Sequence, residues 1–219
     1  EYFRVDLQLE LYRKTVLDIY VDDADNLWIA TLRSGVVQYD QSAKTFTTLS
    51  ESEGLSNNHV RSILQDNTRQ FWFGTSGGGV CQFLGKQFAT FDTRSGLAGN
   101  FIYSVMRDSK NRLWIGNSQR GVSVYQSGRF ENFSGDNGFL NVKVKSIAED
   151  RNGTIWFGTD GSGVHIYKNE EFQAIEGLRG VYVKQIKRGP KGNIWIATAG
   201  NGLIKIEPQN DNYVITKWG

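Results

Sequence analysis

The chain repeats one stretch five times, most clearly as Arg69-Gln-Phe-Trp-Phe-Gly-Thr-Ser-Gly-Gly-Gly-Val80. In each copy an apolar residue precedes a tryptophan, another apolar residue follows it, and a polar turn ending in glycine leads into a second apolar run. The tryptophans of the copies are Trp28, Trp72, Trp114, Trp156 and Trp195, which are 44, 42, 42 and 39 residues apart. A period of about 40 to 45 residues is typical of one four-stranded propeller blade. We therefore predict an all-β propeller with five sequence repeats, each a blade of four antiparallel strands.

The second repeat shows the strands that we expect in every blade. Strand a is predicted over residues 60–66, strand b over 70–75, strand c over 80–84 and strand d over 87–91. Across the repeats, strands a are predicted to begin near Val16, Val60, Ile102, Val144 and Val183. The turns between strands a and b are rich in Asp, Asn and Gly, as hairpin turns require. The connections between blades share a glycine followed by an apolar residue, which suits a tight turn and a plug between adjacent sheets. Treated as one domain over residues 1–219, the chain divides into expected blades at 12–50, 55–93, 97–135, 139–176 and 178–218.

The repeated tryptophan is interpreted as part of the scaffold. A tryptophan packed between blades buries about 150 to 250 Å². A tryptophan that contacted a ligand would have no reason to recur in every blade. The five tryptophans are therefore predicted to be buried between neighbouring sheets.

Ring closure is the point that the sequence leaves open. Residues 1–11 alternate apolar and polar side chains, which predicts an additional strand over Phe3 to Leu9. This strand is surplus, because the fifth repeat already has a fourth strand from Tyr213 onward. The alternatives are a closed five-bladed ring and a piece of a longer propeller, and the second is favoured. An open array would expose apolar surface at both ends and would associate with another copy or with further blades.

Composition limits the classes of partner. The chain of 219 residues has a formal charge of +2, so bulk charge gives no indication of a nucleic-acid partner. Cys81 is the single cysteine, which excludes an internal disulfide. No apolar run approaches the ~20 residues that cross a bilayer, and the first residues do not resemble a signal peptide. We expect no direct membrane contact, and either a cytosolic chain or one whose targeting segment has been removed.

A candidate ligand site follows from propeller topology. The loops from strand b to strand c and from strand d to the next strand a open on one face, around the mouth of the central channel. Polar side chains beside exposed aromatic rings at this mouth would suit a hydroxylated or anionic small ligand. The alternative is that they are ordinary solvated loop residues. The predicted ligand-binding residues are Arg33, Asn58, His59, Asn100, Phe101, Arg120, Asn141, Lys143, Asp160, Tyr182 and Asn201, with Ser76 and Tyr103 beside them.

The second repeat resembles a known family. It reads Gly54-Leu-Ser-Asn-Asn-His-Val-Arg-Ser-Ile-Leu-Gln-Asp66 and continues as Phe71-Trp-Phe-Gly-Thr-Ser-Gly-Gly-Gly-Val80. This pattern is similar to the two-component regulator propeller repeat, and the resemblance covers about residues 12 to 218. It implies a periplasmic or extracellular sensor module of a bacterial signalling receptor, in many cases one that detects carbohydrates. It also implies a seven-bladed ring, whereas five repeats are present here.

The histidines and one acidic turn are the candidates for a catalytic or metal site. The streptogramin lyase, a propeller enzyme with a similar repeat pattern, uses histidine and an acidic group with a divalent ion. His59 and His165 are the two histidines of this chain, and they fall in different parts of their repeats. The acidic turn at residues 22–26 resembles the start of a calcium loop, but Leu27 and Arg33 replace the required Gly and Glu. We therefore expect neither enzymatic activity, nor a metal, nor a cofactor.

Two classes of function are compatible with the sequence. The first is a module that senses a glycan or another small polar ligand. The second is a non-catalytic scaffold that holds another protein on the propeller face or rim. Saturable stabilisation by a small molecule would separate them, since a scaffold is not expected to show it.

Overall fold

The computed structural model of the protein describes residues 11, 13–118, 120–135, 139, 141–209 and 212–219. Within these residues the chain forms twenty strands and two 3-10 turns, at Glu51–Glu53 and Thr93–Ser95. The additional strand predicted over Phe3 to Leu9 lies outside the described residues. The strands are β1 (Val16–Val21), β2 (Leu27–Thr31), β3 (Val36–Asp40), β4 (Thr45–Leu49), β5 (Val60–Gln65), β6 (Phe71–Thr75), β7 (Val80–Phe83), β8 (Phe88–Phe91), β9 (Ile102–Arg107), β10 (Leu113–Asn117), β11 (Val122–Gln126), β12 (Arg129–Phe133), β13 (Val144–Glu149), β14 (Ile155–Thr159), β15 (Val164–Lys168), β16 (Glu171–Ala174), β17 (Tyr182–Arg188), β18 (Ile194–Ala199), β19 (Leu203–Gln209) and β20 (Asn212–Trp218).

Consecutive strands form five four-stranded antiparallel sheets, from β1–β4 through to β17–β20. Every sheet is therefore a simple meander, and its first strand is the innermost one. These inner strands are β1, β5, β9, β13 and β17, and each packs against the next along the chain. The prediction of an all-β propeller with four-stranded blades is confirmed.

The five blades form an open arc. Within the described residues β17 does not pack back onto β1, so the sheets do not close and they are part of a larger propeller. Apolar side chains are correspondingly exposed at the two ends of the arc. Ile19 and Val21 of the first blade are each 56% exposed, and Trp218 of the last blade is 47% exposed.

Because both end sheets expose apolar side chains, we expect the isolated chain to self-associate through them unless further blades cover them. Static light scattering across a concentration series should show a mass that rises above 24.7 kDa. A strictly monomeric protein that unfolds cooperatively at high concentration would contradict this expectation.

Each tryptophan of the first four repeats packs against the following blade. Trp28 stacks on Phe71 with ring centroids 3.9 Å apart, and Trp114 lies 5.4 Å from the ring of Phe157. Trp114 and Trp156 are fully buried. In the fifth blade Trp195 is only half-buried and stacks on Trp218, because no described blade follows it.

An aspartate in each of the first four hairpin turns binds the indole nitrogen of the tryptophan. The Asp108 carboxylate accepts from Trp114 Nε1 at 2.8 Å, and Asp22, Asp66 and Asp150 accept in the same way at 2.8 to 3.0 Å. The same carboxylates also accept backbone N–H groups of their own turn. One side chain thus shapes the hairpin and satisfies a buried donor. The hairpin turn was predicted from the sequence, whereas the hydrogen bond from its aspartate to the tryptophan was not.

The glycine that ends each repeat motif is required by a close approach of the backbone. Gly79 has φ +76°, and a Cβ added there would lie 2.1 Å from the carbonyl oxygen of Phe91 in strand β8 of the same blade. Its N–H donates to the carbonyl of Asn100, in the connection to the third blade, at 3.0 Å. Gly35, Gly163 and Gly202 have the same positive φ and the same close approach. The motif glycine therefore packs its loop against strand d, or in the fourth blade against the connection that follows it at Leu178, and in Gly35, Gly79 and Gly163 its N–H also bonds to the connection into the next blade.

The apolar residue after each connection glycine is buried, as the plug prediction requires. Leu55, Leu97, Phe139 and Leu178 are between 0% and 3% exposed. Leu55 packs in one cluster with residues of the first two blades, including Leu49 and Phe73. The plugs fill the space between sheets and fix the connections that carry the candidate site.

Candidate functional site

The two sets of predicted loops meet at one end of the blades. Ser76 N, just after β6, donates to the carbonyl of His59 at 2.9 Å, and Asp160 N donates to the carbonyl of Lys143 at 3.0 Å. These bonds tie the end of strand b to the residue before strand a. The equivalent residues of the later blades, His59, Phe101, Lys143 and Tyr182, will be called the mouth residues.

Every inner strand contains a β-bulge near the mouth. The register shifts by one residue near the start of each strand, for example between Val60 and Ser62 in β5 and between Val183 and Gln185 in β17. A bulge turns a side chain out of the regular alternation, and bulges are frequent beside functional sites. The bulged residues line one cavity of about 310 Å³, which will be called the channel site. They are Leu17, Arg61, Tyr103, Lys145 and Lys184.

Cations surround the ring of Tyr103. The guanidinium carbon of Arg61 lies 4.4 Å from the ring centroid, and Arg61 Nε donates to Ser76 Oγ at 2.9 Å. The ammonium groups of Lys145 and Lys143 lie 4.8 Å and 5.3 Å from the same centroid. Cation–π attraction holds these three side chains at the wall of the channel.

One carboxylate lies among the lysines. Lys143 Nζ donates to Asp160 Oδ2 at 2.7 Å, and Lys145 Nζ lies 4.0 Å from the same oxygen. The bond from Lys143, reinforced by the charges of Lys145 and Lys184, lowers the pKa of Asp160. The pKa of Lys143 is raised by the same bond. The pKa of Lys145 is lowered, first by burial and then by the neighbouring cations, against the attraction of Asp160.

In the first, second and fourth blades the residue after the bulge connects neighbouring inner strands. Ser62 Oγ accepts from Val105 N at 3.1 Å, and Ser146 Oγ accepts from Ile186 N at 2.9 Å. Asp18 Oδ2 accepts from Ile63 N at 2.9 Å, although burial raises the pKa of this carboxyl. Ser104 is 8% exposed, lines the channel site, and its Oγ has no hydrogen-bond partner among the described residues. This oxygen faces Gly116 of β10, where a Cβ would lie 2.5 Å from it.

Three of the predicted residues, Lys143, Asp160 and Tyr182, lie close together at the mouth. Lys143 and Asp160 form the ion pair, and Asp160 also bridges to Tyr182 of the last blade. Phe101 and Tyr182 are 56% and 52% exposed, which is unusual for aromatic side chains in this chain. Lys145, which lines the channel site, lies 4.0 Å from Asp160 Oδ2, so the ion pair adjoins the channel site. Phe101 lies apart from this pair and bridges to Ser76 of the second blade.

A second cavity, of about 340 Å³, lies beside the mouth in the third blade. It brings together three predicted residues, Asn100, Phe101 and Arg120, with Asn117 and Ser118. Asn117 Nδ2 donates to Ser123 Oγ, while the buried Asn117 Oδ1 has no partner among the described residues. We call this cavity the side pocket.

Other predicted residues have structural contacts or lie apart. Asn58 Oδ1 accepts from Glu51 N, and Asn100 Oδ1 accepts from Thr93 N, both at 2.9 Å. These bonds fasten the connections between blades, so the two asparagine oxygens are already occupied. Arg33, Asn141 and Asn201 are exposed and, in the described part of the chain, do not line the channel site.

The histidines occupy different environments. The pKa of His59 at the mouth is lowered by burial, with smaller contributions from Arg61 and Arg33. His165 lies in β15, where Nε2 is 3.2 Å from the carbonyl of Ser162 and burial lowers the pKa. Among the described residues, no three His, Cys, Asp or Glu side chains are grouped so that they could hold a metal ion.

The predicted site residues do not include Arg61, Lys145 and Lys184. Each is the residue after the first valine of a predicted strand a, and regular alternation gave no reason to aim it at the ligand face. The available signal was their equivalence across repeats together with their charge. The bulge, which turns them toward the channel, is a feature of backbone register that the sequence pattern does not show.

Comparison with known proteins identifies the repeat. A family model described as the two component regulator propeller matches residues 54–77, 96–119 and 138–161. A comparison with curated proteins finds no match. Within the described residues, helix is limited to single turns, and none has the length or apolarity of a membrane span.

Solved structures extend the likeness to most of the chain. One is the extracellular domain of a protein described as a hybrid two component system from B. thetaiotaomicron, with 27% identity, TM-score 0.76 and coverage of 87% of this chain and 27% of that one. Another, described as a one component system from the same organism, has 24% identity, TM-score 0.73 and coverage of 86% and 26%. This chain thus spans about a quarter of their length.

An enzyme with the same fold is also similar in structure. Virginiamycin B lyase from Staphylococcus aureus has 12% identity and TM-score 0.74, with coverage of 93% of this chain and 69% of the lyase. At that identity the likeness shows the fold alone. The second, third and fourth repeats of the chain match the two component regulator propeller, in agreement with the repeat motif.

Proposed function

We propose that the protein is a ligand-sensing module of a bacterial two-component-type receptor and binds a glycan or another small polar ligand at the channel mouth. The observation that carries this proposal is the Lys143–Asp160 pair, which has the exposed Tyr182 beside it and adjoins the channel site through Lys145. The exposed ring of Phe101 lies on another part of the mouth. Exposed rings offer apolar faces, while the ion pair and nearby hydroxyls offer donors and acceptors. A pocket with aromatic walls and a few convergent polar groups suits a hydroxylated ligand.

The similarity to extracellular domains of two-component systems supports a place outside the cytoplasm, in the periplasm or at the cell surface. A sensor there would respond to ligand through a change of population between two arrangements of the receptor. The open arc would let further blades complete the site. The part of the receptor that transmits the signal would lie outside these five repeats.

We also propose that the module acts without catalysis. His59 lies in a connection at the mouth, whereas His165 is buried in strand β15 against the ring of Phe139. The two histidines therefore do not form one acid–base pair. The residues gathered at the channel suit binding, since lysine, arginine and tyrosine here are engaged with one another.

The test is thermal unfolding of the protein with a panel of mono- and oligosaccharides and small metabolites. We expect at least one compound to raise the melting temperature in a saturable way, because a ligand at about 100 times its Kd stabilises the folded state by about 2.7 kcal/mol. Phe101→Ala and Tyr182→Ala should each weaken that compound's binding.

Trp218→Ala is the matched control, since Trp218 is also an exposed aromatic residue but lies on the end sheet. It should leave the ligand affinity unchanged. A panel without any saturable stabilisation, together with capture of a protein partner on the propeller face, would favour the interaction scaffold. Binding that is insensitive to both mouth variants would place the ligand elsewhere.

A further inference from the structure

The channel site carries more positive charge than the chain as a whole would lead one to expect. Among the described residues that line it, Arg61, Lys145, Lys184 and Lys187 are cationic and Asp18 is the single acid. The complete chain has a formal charge of only +2. The cations are therefore concentrated at the bulges of the inner strands.

The acids nearby do not neutralise these cations. Asp18 is occupied by the backbone N–H groups of Ile63 and Ile19. Asp160 bonds directly to Lys143, which leaves Lys145 at 4.0 Å as a weaker contact. In the described part of the chain, no carboxylate forms an ion pair with Arg61 or Lys184. Gathering like charges costs free energy that an anion in their midst would recover.

The geometry of the cations suits an oxyanion. Arg61 is held by Ser76 through Nε and by the Tyr103 ring, and its remaining N–H groups can meet two oxygens of a carboxylate, sulfate or phosphate. Lys145 and Lys184 occupy the equivalent positions two blades and three blades further along.

We propose that the channel site binds an organic anion, with Arg61, Lys145 and Lys184 holding its carboxylate, sulfate or phosphate group. This inference rests on the proposed function, because it assigns a chemical class to the ligand that is sensed. The mouth residues would contact the remainder of the ligand. The charged group would lie deepest, among the bulged residues.

The test is calorimetric titration at constant ionic strength with four probes: glucose, glucuronate, glucose 6-sulfate and glucose 6-phosphate. These share one sugar ring, and the last three add a carboxylate, a sulfate or a phosphate, so they also distinguish the kind of anion. We expect at least one charged probe to bind about tenfold or more tightly than glucose. Its affinity should fall as sodium chloride is added.

Variants locate the bound anion. We expect about a tenfold loss of affinity for the charged probe in each of three variants, Arg61→Gln, Lys145→Gln and Lys184→Gln. The melting temperature should change little, because each substitution relieves repulsion between cations. Lys110→Gln is the control, since Lys110 is exposed in the turn between β9 and β10 at the opposite end of the blade. The Lys184 variant keeps the test valid if the Arg61 variant fails to fold, because Lys184 is exposed.

Two results would overturn the inference. If glucose binds as tightly as the charged probes and the three channel variants bind normally, the proposed sensing function stands and the anion assignment is wrong. If no charged probe binds, the anion assignment is also wrong. In that case the wider panel decides separately whether the mouth binds any ligand.

Discussion

Replacing Trp114 with alanine is expected to lower the free energy of unfolding by about 3 to 5 kcal/mol. Trp114 is fully buried and contacts the rings of Phe157 and Tyr167 in the fourth blade. The substitution would leave a cavity between the third and fourth blades. It would also remove the indole donor from Asp108, a buried carboxylate. The loss combines packing with a broken buried hydrogen bond.

Arg120→Ala is the control for this prediction. Arg120 is exposed in the loop after strand β10, so its removal should change the free energy of unfolding by less than about 0.5 kcal/mol. Urea denaturation monitored by circular dichroism measures both variants on one scale. Equal losses would show that the division of each repeat into a buried scaffold and an exposed variable loop is wrong.

Gly79→Ala is expected to lower the free energy of unfolding by about 3 kcal/mol or more. The positive φ of +76° is strained for alanine, and the new Cβ would also lie 2.1 Å from the carbonyl oxygen of Phe91. Because that oxygen belongs to the backbone of strand β8, the loop or the strand has to move. The movement would also disturb the bond from Gly79 N to Asn100.

The matched control is Gly85→Ala, in the turn between β7 and β8. Gly85 has a similar φ of +87°, but a Cβ there would meet nothing within 4 Å. We expect only the cost of the left-handed backbone, about 1 to 2 kcal/mol. Denaturation of the two variants side by side separates the cost of the left-handed backbone from the cost of the steric clash with Phe91. A Gly79 variant no less stable than the Gly85 variant would contradict the close approach described for the repeat motif.

Much of the fold could be predicted because the repeat imposes the same pattern several times. The tryptophan spacing gave the blades, and the predicted starts of the inner strands at Val16, Val60, Ile102 and Val144 coincide with the structure. The start predicted at Val183 differs by one residue, since β17 begins at Tyr182. The open arc could not be settled from sequence, because closure depends on the angle between sheets rather than on the motif.

The candidate site could be predicted only in part. Propeller topology predicted Phe101, Lys143, Asp160 and Tyr182 as ligand-binding residues at the mouth. In the structure Lys143 pairs with Asp160, which bridges to Tyr182, while Phe101 bridges to Ser76. Their role in ligand binding stays a prediction. Topology does not show which loop side chains are already engaged in structural hydrogen bonds. Asn58 is one of them, since its Oδ1 accepts from Glu51 N. Nor does alternation along a strand reveal a bulge. The positive charge in the channel therefore emerged only when the register of the inner strands was known.

The most direct test of the proposed binding site is a crystal structure of the protein with the compound that gives the largest saturable stabilisation. The account predicts that this compound lies at the channel mouth, touches Phe101 or Tyr182, and directs any anionic group toward Arg61 and Lys145. A ligand found only on the outer rim, or between the exposed end sheets of two copies, would contradict the central claim that the inner strands and their loops form the binding site.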